Sequence, residues 1–122
     1  ILVAGSVGSF AAAHMRRGLI IIKGNVGKYC AFQMISGTVM IFKSFAECIG
    51  ISMKRGTIIL ISNGIFGERF EKSGVINFIF LDLFAKYLEA NFSIVLPDRK
   101  KFIRYFGDKN IDGLGEIFLM KK

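Results

Sequence analysis

Three copies of one pattern run through the first half of the chain at a constant spacing of 19 residues. Gly5, Gly24 and Lys43 share one column of this repeat, and Gly8, Gly27 and Ala46 a second. Met15, Met34 and Met53 form a third column, and Gly18, Gly37 and Gly56 a fourth. Each fourth-column glycine precedes a short β-branched run: Leu19 to Ile22, Thr38 to Ile41 and Thr57 to Ile61, with Ile1 to Val3 in the same register one coil earlier. A repeat of about 20 residues made of short strands and glycine turns cannot bury its apolar face alone and must stack on its neighbours. The spacing therefore predicts an all-β fold, a parallel β-helix of at least three coils over residues 1–62. Parallel crossovers are overwhelmingly right-handed, so the helix is expected to be right-handed.

Alternate strand positions are apolar in every coil: Ile20, Val39 and Ile58 in one column, Ile22, Ile41 and Leu60 in the next. Side chains on a strand alternate faces, so both columns point into the coil and stack as apolar ladders about 4.8 Å apart. With Met34 and Met53 closing the interior from another side, these residues are the expected core. The fourth-column glycines mark corners that need a positive φ or a close backbone approach. Lys43 and Ala46 break two glycine columns, and the corner there is expected to be reshaped. Leu19, Ile21, Met40, Phe42, Ile59 and Ile61 make the outward face apolar as well, which predicts that something packs on that wall: partner subunits or additional coils, unless the C-terminal helix covers it.

At 122 residues the chain is one domain. A hydrophobic content of 52% and a mean hydropathy of +0.50 raise the question of a membrane span. A spanning helix needs about 20 consecutive apolar residues, and Lys23, Gly24 and Asp82 interrupt the candidates, so no membrane association is expected. Ile1 begins in strand register without an initiator Met, which predicts an exposed coil end and a C-terminal piece of something longer. Cys30 and Cys48 do not share a column; this argues against a disulfide and for two buried thiols in a reducing, cytoplasmic setting.

From Ser62 the repeat stops, and residues 63–122 are expected to cap the open end of the stack within the same domain. Gly64 to Gly74 is turn-rich, Val75 to Leu81 has the composition of a strand, and Asp82 to Asn91 that of a helix. Asp82 would be the N-cap, with Leu83, Phe84, Tyr87 and Leu88 as the apolar stripe. Pro97 and Asp98 would open a second short helix, Arg99 to Tyr105, ended by Gly107. Glu116 to Met120 would form a last strand.

Little here carries chemistry. One histidine and two cysteines out of register cannot build a zinc site by any standard spacing, and no paired-acid, Ser-His-Asp or Walker pattern occurs, so no catalytic or metal-binding residue is expected. His14 shares a polar column with Gln33 and Ser52, which points to a solvent-facing or partner-facing role. The net charge of +8 favours an anionic partner. Arg16, Arg17, Lys54 and Arg55 precede fourth-column glycines two coils apart, roughly 10 Å by the sheet spacing. Together with Lys23, Lys28 and Lys43 they would line one edge of the stack. Arg99, Lys100, Lys101 and Arg104 form a second basic cluster. The aromatic residues have the pattern of core, and no nucleic-acid motif accompanies the charge, so no nucleic-acid partner is expected.

The repeat, as in GNVGKYCAFQMISGTVMIF, resembles the GXGXG β-helix domain found in the C-type subunit of formylmethanofuran dehydrogenase and in the C-terminal part of glutamate synthase. The segment MKRGTIILISNGIFGERFEKSGVINFIFLDLFAKYLEA and the ending GLGEIFL are similar to the C-type subunit family of the formyltransferase/hydrolase complex, the dehydrogenase's relative in methylotrophs, over its C-terminal half. The resemblance implies a non-catalytic scaffold in tetrahydromethanopterin-linked one-carbon metabolism, with amidohydrolase-like and formyltransferase-like subunits as partners. It also implies a methanofuran-type coenzyme in the complex, whose anionic glutamyl tail has candidate contacts in Arg16, Arg17, Lys54 and Arg55. The alternative that the same resemblance leaves open is a structural domain of a glutamate synthase-like enzyme.

Overall fold

A computed structural model describes residues 1–46, 48–62, 70–72, 79–96, 102–111 and 113–120. Four short strands, β1 (Leu2–Val3), β2 (Leu19–Ile22), β3 (Thr38–Ile41) and β4 (Thr57–Leu60), fall on the β-branched runs. They pair in parallel with the register of the repeat, Leu19 opposite Thr38 and Thr38 opposite Thr57. A second point of each coil is tied by the bridges Val7 to Val26 and Val26 to Phe45. The chain is a parallel β-solenoid of about three turns.

Ile22, Met34, Val39, Ile41, Met53, Ile58 and Leu60 are buried in one core, with Met15 packed against it from the same side. Each fully buried side chain of this size contributes on the order of 1.5 to 3 kcal/mol. Ile20, expected in that core, is only half-buried. The reason is positional: its neighbour in the preceding coil is Ile1, which bonds to Leu19 O and Ile21 N–H on either side of it but is itself 79% exposed and covers it incompletely. Gly18, Gly37 and Gly56 have φ of 93°, 102° and 109°, values at which a Cβ is strained. Gly24 serves differently. A Cβ on it would lie 2.5 Å from the Gly5 carbonyl carbon, so Gly24 is small because its coil touches the one before it there. The corner at Lys43 keeps the path of the earlier ones, contrary to expectation. Val26 N–H donates to Ser44 O at 3.0 Å just as Val7 N–H donates to Asn25 O at 2.9 Å, and the Asn25 amide oxygen also accepts the Ser44 hydroxyl at 2.9 Å.

Each coil also contains an arc of alternating left-handed residues that no glycine column announces. Phe10, Ala12 and His14 have φ of 62°, 59° and 58°, and Tyr29, Ala31 and Gln33 have φ of 60°, 59° and 52°. The third coil repeats the arc with Cys48, Gly50 and Ser52. A left-handed conformation costs a non-glycine residue roughly 1 to 2 kcal/mol. What offsets it is hydrogen bonding: the alternation aims N–H groups at the carbonyls of neighbouring coils. Phe10 and His14 donate forward to Lys28 O and Phe32 O at 2.9 and 2.8 Å, while Ala31 donates back to Ala11 O at 2.8 Å. Backbone groups in an arc with no strand ladder are thereby paired.

Beyond the coils lie β5 (Phe70–Lys72), α1 (Ile79–Phe92), β6 (Phe102–Gly107), a 3-10 turn at Lys109–Ile111 and β7 (Gly115–Met120). All seven strands form one sheet in the order β1-β2-β3-β4-β7-β6-β5. β7, expected as Glu116 to Met120, continues the parallel ladder, with Ile58 opposite Ile117 and Leu60 opposite Leu119. β6 and β5 then add antiparallel strands. The expected short helix ending at Gly107 is instead β6 over its described part. Its aromatic and β-branched residues Phe102, Ile103, Tyr105 and Phe106 fit a pleated surface next to β7; residues 99–101 lie outside the described residues. The turn expected from Gly64 to Gly74 contains β5, and the remainder of that stretch is likewise outside the described residues.

The expected strand Val75 to Leu81 is helical where described, from Ile79 onward, which places Asp82 in the first turn of α1 and not at its cap. Leu81, Phe84 and Leu88 are buried, whereas Leu83 and Tyr87 are 62% and 48% exposed, so the stripe is rotated from the expected one. That face, with Ile94 and Leu96, covers the outward columns: Ile21, Met40, Ile59 and Phe118 are buried in a second core. The apolar wall is therefore covered at Ile21, Met40 and Ile59 by this chain's own helix, while Leu19, Phe42 and Ile61 stay half-buried. Ile1 and Leu2, at the N-terminal edge, are exposed. Among the described residues no helix is long and apolar enough to cross a membrane.

Candidate functional site

The polar column His14, Gln33 and Ser52 emerges on the left-handed arc of successive coils and forms the floor of a groove of about 550 Å³. Ile35, Lys54 and Arg55 also line it, with Ile111, Gly113 and Leu114 from the connection between β6 and β7. Both cations are exposed, as are His14, Gln33 and Leu114, so the groove opens to solvent.

The β6–β7 connection is fastened to the floor. Gln33 N–H donates to Ile51 O at 2.8 Å, the bond that a coil receives from its successor. Ser52 has no successor, and its N–H donates instead to Oδ2 of the buried Asp108 at 2.8 Å. Asp108 O accepts from Gly113 N–H at 2.9 Å, and Leu114 N–H donates to Lys54 O at 2.6 Å. Glu116 N–H then donates to Gly56 O at 3.0 Å, as Thr57 N–H does to Gly37 O at 2.9 Å. Asp108, Leu114 and Glu116 thus imitate the hydrogen bonds of a fourth coil.

The four expected cations divide. Lys54 and Arg55 line the groove; Arg16 and Arg17 are exposed on the first coil and are not among its lining residues. Lys23 and Lys43 line a separate cleft with Phe42, Ile94 and Val95. In the second basic cluster, Arg104 is engaged by Glu116 at 2.9 Å, and Glu116 also accepts the Thr57 hydroxyl at 3.0 Å; Arg99, Lys100 and Lys101 are outside the described residues.

Sequence reasoning placed the aromatics in the core, but the left-handed arc turns one group outward. Phe10 stacks on Tyr29 at 5.1 Å with their rings 8° from parallel, and Phe32 meets Phe10, Tyr29 and His14 edge-on at 5.7, 5.9 and 6.0 Å. Phe10 is 52% exposed. The signal available in the sequence was the column itself, since Phe10 and Tyr29 are 19 apart like the glycines.

Both thiols are free, Cys30 buried and Cys48 half-buried. Burial pushes the Cys30 thiol up to about 12 from an ordinary 9.0, partly opposed by a hydrogen bond from the Ala31 backbone. Among the described residues no group of three His, Cys, Asp or Glu could hold a metal ion.

No protein-family model matches the sequence, and no curated protein matches it. Among solved structures, the fold is similar to a chain in the X-ray crystal structure of the formyltransferase/hydrolase complex (FhcABCD) from Methylorubrum extorquens in complex with methylofuran, at a TM-score of 0.60 and 22% identity. The match covers 99% of this chain and 63% of that one, so the present chain spans less than two thirds of its neighbour's length. The match spans the coils and the segment beyond them, and at this identity the likeness establishes a common fold.

Proposed function

We propose that this chain is a scaffold subunit of a formyltransferase/hydrolase-type complex that works with a methanofuran-type coenzyme. The observation that carries the reading is the extent of the likeness. It runs over 99% of the chain, through the three coils and the non-repetitive cap, in a protein described as that complex with methylofuran. A repeat by itself could match many solenoids; a cap joined by one helix and an antiparallel pair is a far narrower pattern. The division of labour also agrees, because catalysis on amidohydrolase-like and formyltransferase-like partners asks only for a rigid framework here. Arg16, Arg17, Lys54 and Arg55 are all exposed and so are accessible to the coenzyme's anionic tail.

The test is to tag the chain in its source cells, purify it gently and identify the proteins that accompany it in stoichiometric amounts. Amidohydrolase-like and formyltransferase-like chains are the expected companions. Recovery of the chain alone would overturn the reading. So would recovery with an FMN and iron–sulfur polypeptide, which would place it with glutamate synthase-like enzymes.

A further inference from the structure

We propose that α1 carries a second apolar face on which another copy of this chain docks, helix against antiparallel helix about a twofold axis. One face of the helix lies on the outer wall of the coils, with Leu81, Phe84 and Leu88 buried. On the adjoining flank Phe80, Leu83 and Tyr87 are 36%, 62% and 48% exposed, and Ala90 is exposed as well. Their spacing of three, four and three residues is the seam spacing of paired helices. A helix flank that meets only water is polar. The two rings on this flank are also held from behind. Phe80 stacks on Phe84 at 5.6 Å with the rings 11° from parallel and lies 6.3 Å from Phe118, while Tyr87 stacks on Phe84 at 6.4 Å. Anchors fixed by buried neighbours lose little freedom on binding.

What marks the occupant as a second copy is that the flank complements itself. A twofold contact places the same patch on both subunits. When Leu83 of each helix faces Tyr87 of the other, Phe80 falls opposite Ala90, so a large side chain meets a small one at both ends of the seam. Charge favours the same place. A net charge of +8 makes two copies repel over most of their surface, whereas α1 carries Asp82 and Glu89 against Lys86. At these exposures the three large side chains offer roughly 300 Å² per copy, the size of the largest apolar patch on a typical monomer. A standard interface buries about 800 Å² per partner. The dimer is therefore weak and forms as concentration rises.

The experiment is sedimentation equilibrium of the full chain from about 10 μM to about 1 mM, the range in which so small a contact is populated. The average mass should climb from 13.6 kDa towards twice that value. Leu83→Glu should weaken the dimer about tenfold or more and leave the melting temperature of the single chain unchanged, because Leu83 is exposed there. Phe10→Ser, in the other exposed aromatic group, should dimerise as the wild type does; Ser52 already holds a left-handed φ of 60° like that of Phe10. In a Cys48→Ala background, Lys86→Cys brings two thiols close to the twofold axis and should give a disulfide-linked dimer on mild oxidation. Glu89→Cys, which this register sets about 12 Å from its counterpart along the helix, should not. A monomer's mass across the whole range would overturn the proposal. So would a dimer that Leu83→Glu leaves intact or Phe10→Ser abolishes, or equal cross-linking at both positions. Co-purification concerns other polypeptides, so either result can fail alone.

Discussion

The carboxylate of Asp108 accepts the Ser52 N–H at 2.8 Å, the same distance at which the Ile51 carbonyl accepts the Gln33 N–H one coil earlier. A side chain has taken the place of the backbone of an absent fourth coil. The end of a solenoid would otherwise leave donors without acceptors, and Asp108 meets that need on the left-handed arc while β7 meets it on the strand. Asp108→Ala removes the acceptor from a buried position, and the loss should be about 1 to 3 kcal/mol. Asp108→Asn retains one carbonyl oxygen and should cost less. Chemical unfolding of the two variants beside the wild type measures both, and equal losses would mean that the charge matters more than the acceptor.

The corner glycines make a second test. Gly37 has φ of 102°, and a Cβ there would lie 3.0 Å from Met15 Cε and 3.1 Å from the Arg17 carbonyl carbon. Gly37→Val should therefore destabilise by at least about 1 kcal/mol. Gly8 has nothing within 4 Å of its Cβ position, so Gly8→Ala should leave the melting temperature of this chain nearly unchanged. A large loss at Gly8 would show that its column is strained in its own right.

The rotated stripe on α1 predicts opposite outcomes at neighbouring residues. Leu88 is fully buried against the outer wall, and Leu88→Ala should cost about 2 to 5 kcal/mol. Leu83 is 62% exposed, and Leu83→Ala should stay within about 0.5 kcal/mol. The Leu88 variant should also bind a hydrophobic dye as Ile21, Met40 and Ile59 become accessible.

Cys30 supplies a pH dependence with a definite sign. Burial raises the folded thiol to about 12 from 9.0, so above pH 9 the unfolded chain releases a proton that the folded chain keeps. The folded state then holds more protons, and stability falls as pH rises from 9 towards 12. Cys30→Ala should flatten that slope in unfolding measured across this range. In the native protein at pH 8, an alkylating reagent should modify the half-buried Cys48 before Cys30, since the thiolate is the reactive form.

The coils could be read in advance because a solenoid is nearly one-dimensional. Each residue's neighbours lie one period away, so columns in the sequence are columns in space, and Val39 between Ile20 and Ile58 is legible without coordinates. The corner at Gly37 followed from the same logic. The candidate site was half legible: the polar column and the cations could be listed by register, but not the wall that closes them into a groove.

Past Ser62 that translation fails, and tertiary contacts decide. Residues 102–105, expected as helix from the Pro97, Asp98 and Gly107 signals, form part of a strand, because β7 offers them a partner ladder that a short isolated helix could not match. Which face of α1 is buried is set by packing on Ile21, Met40, Ile59 and Phe118, contacts with no fixed spacing in the sequence. The outward turn of Phe10 and Tyr29 depends on left-handed residues that only inter-coil hydrogen bonds support. The repeat by itself determined the solenoid, its period and its core columns. The cap, the covering of the outer wall and the groove at Ser52 came from contacts between residues with no fixed spacing, where several local conformations compete and long-range burial and hydrogen bonding choose among them.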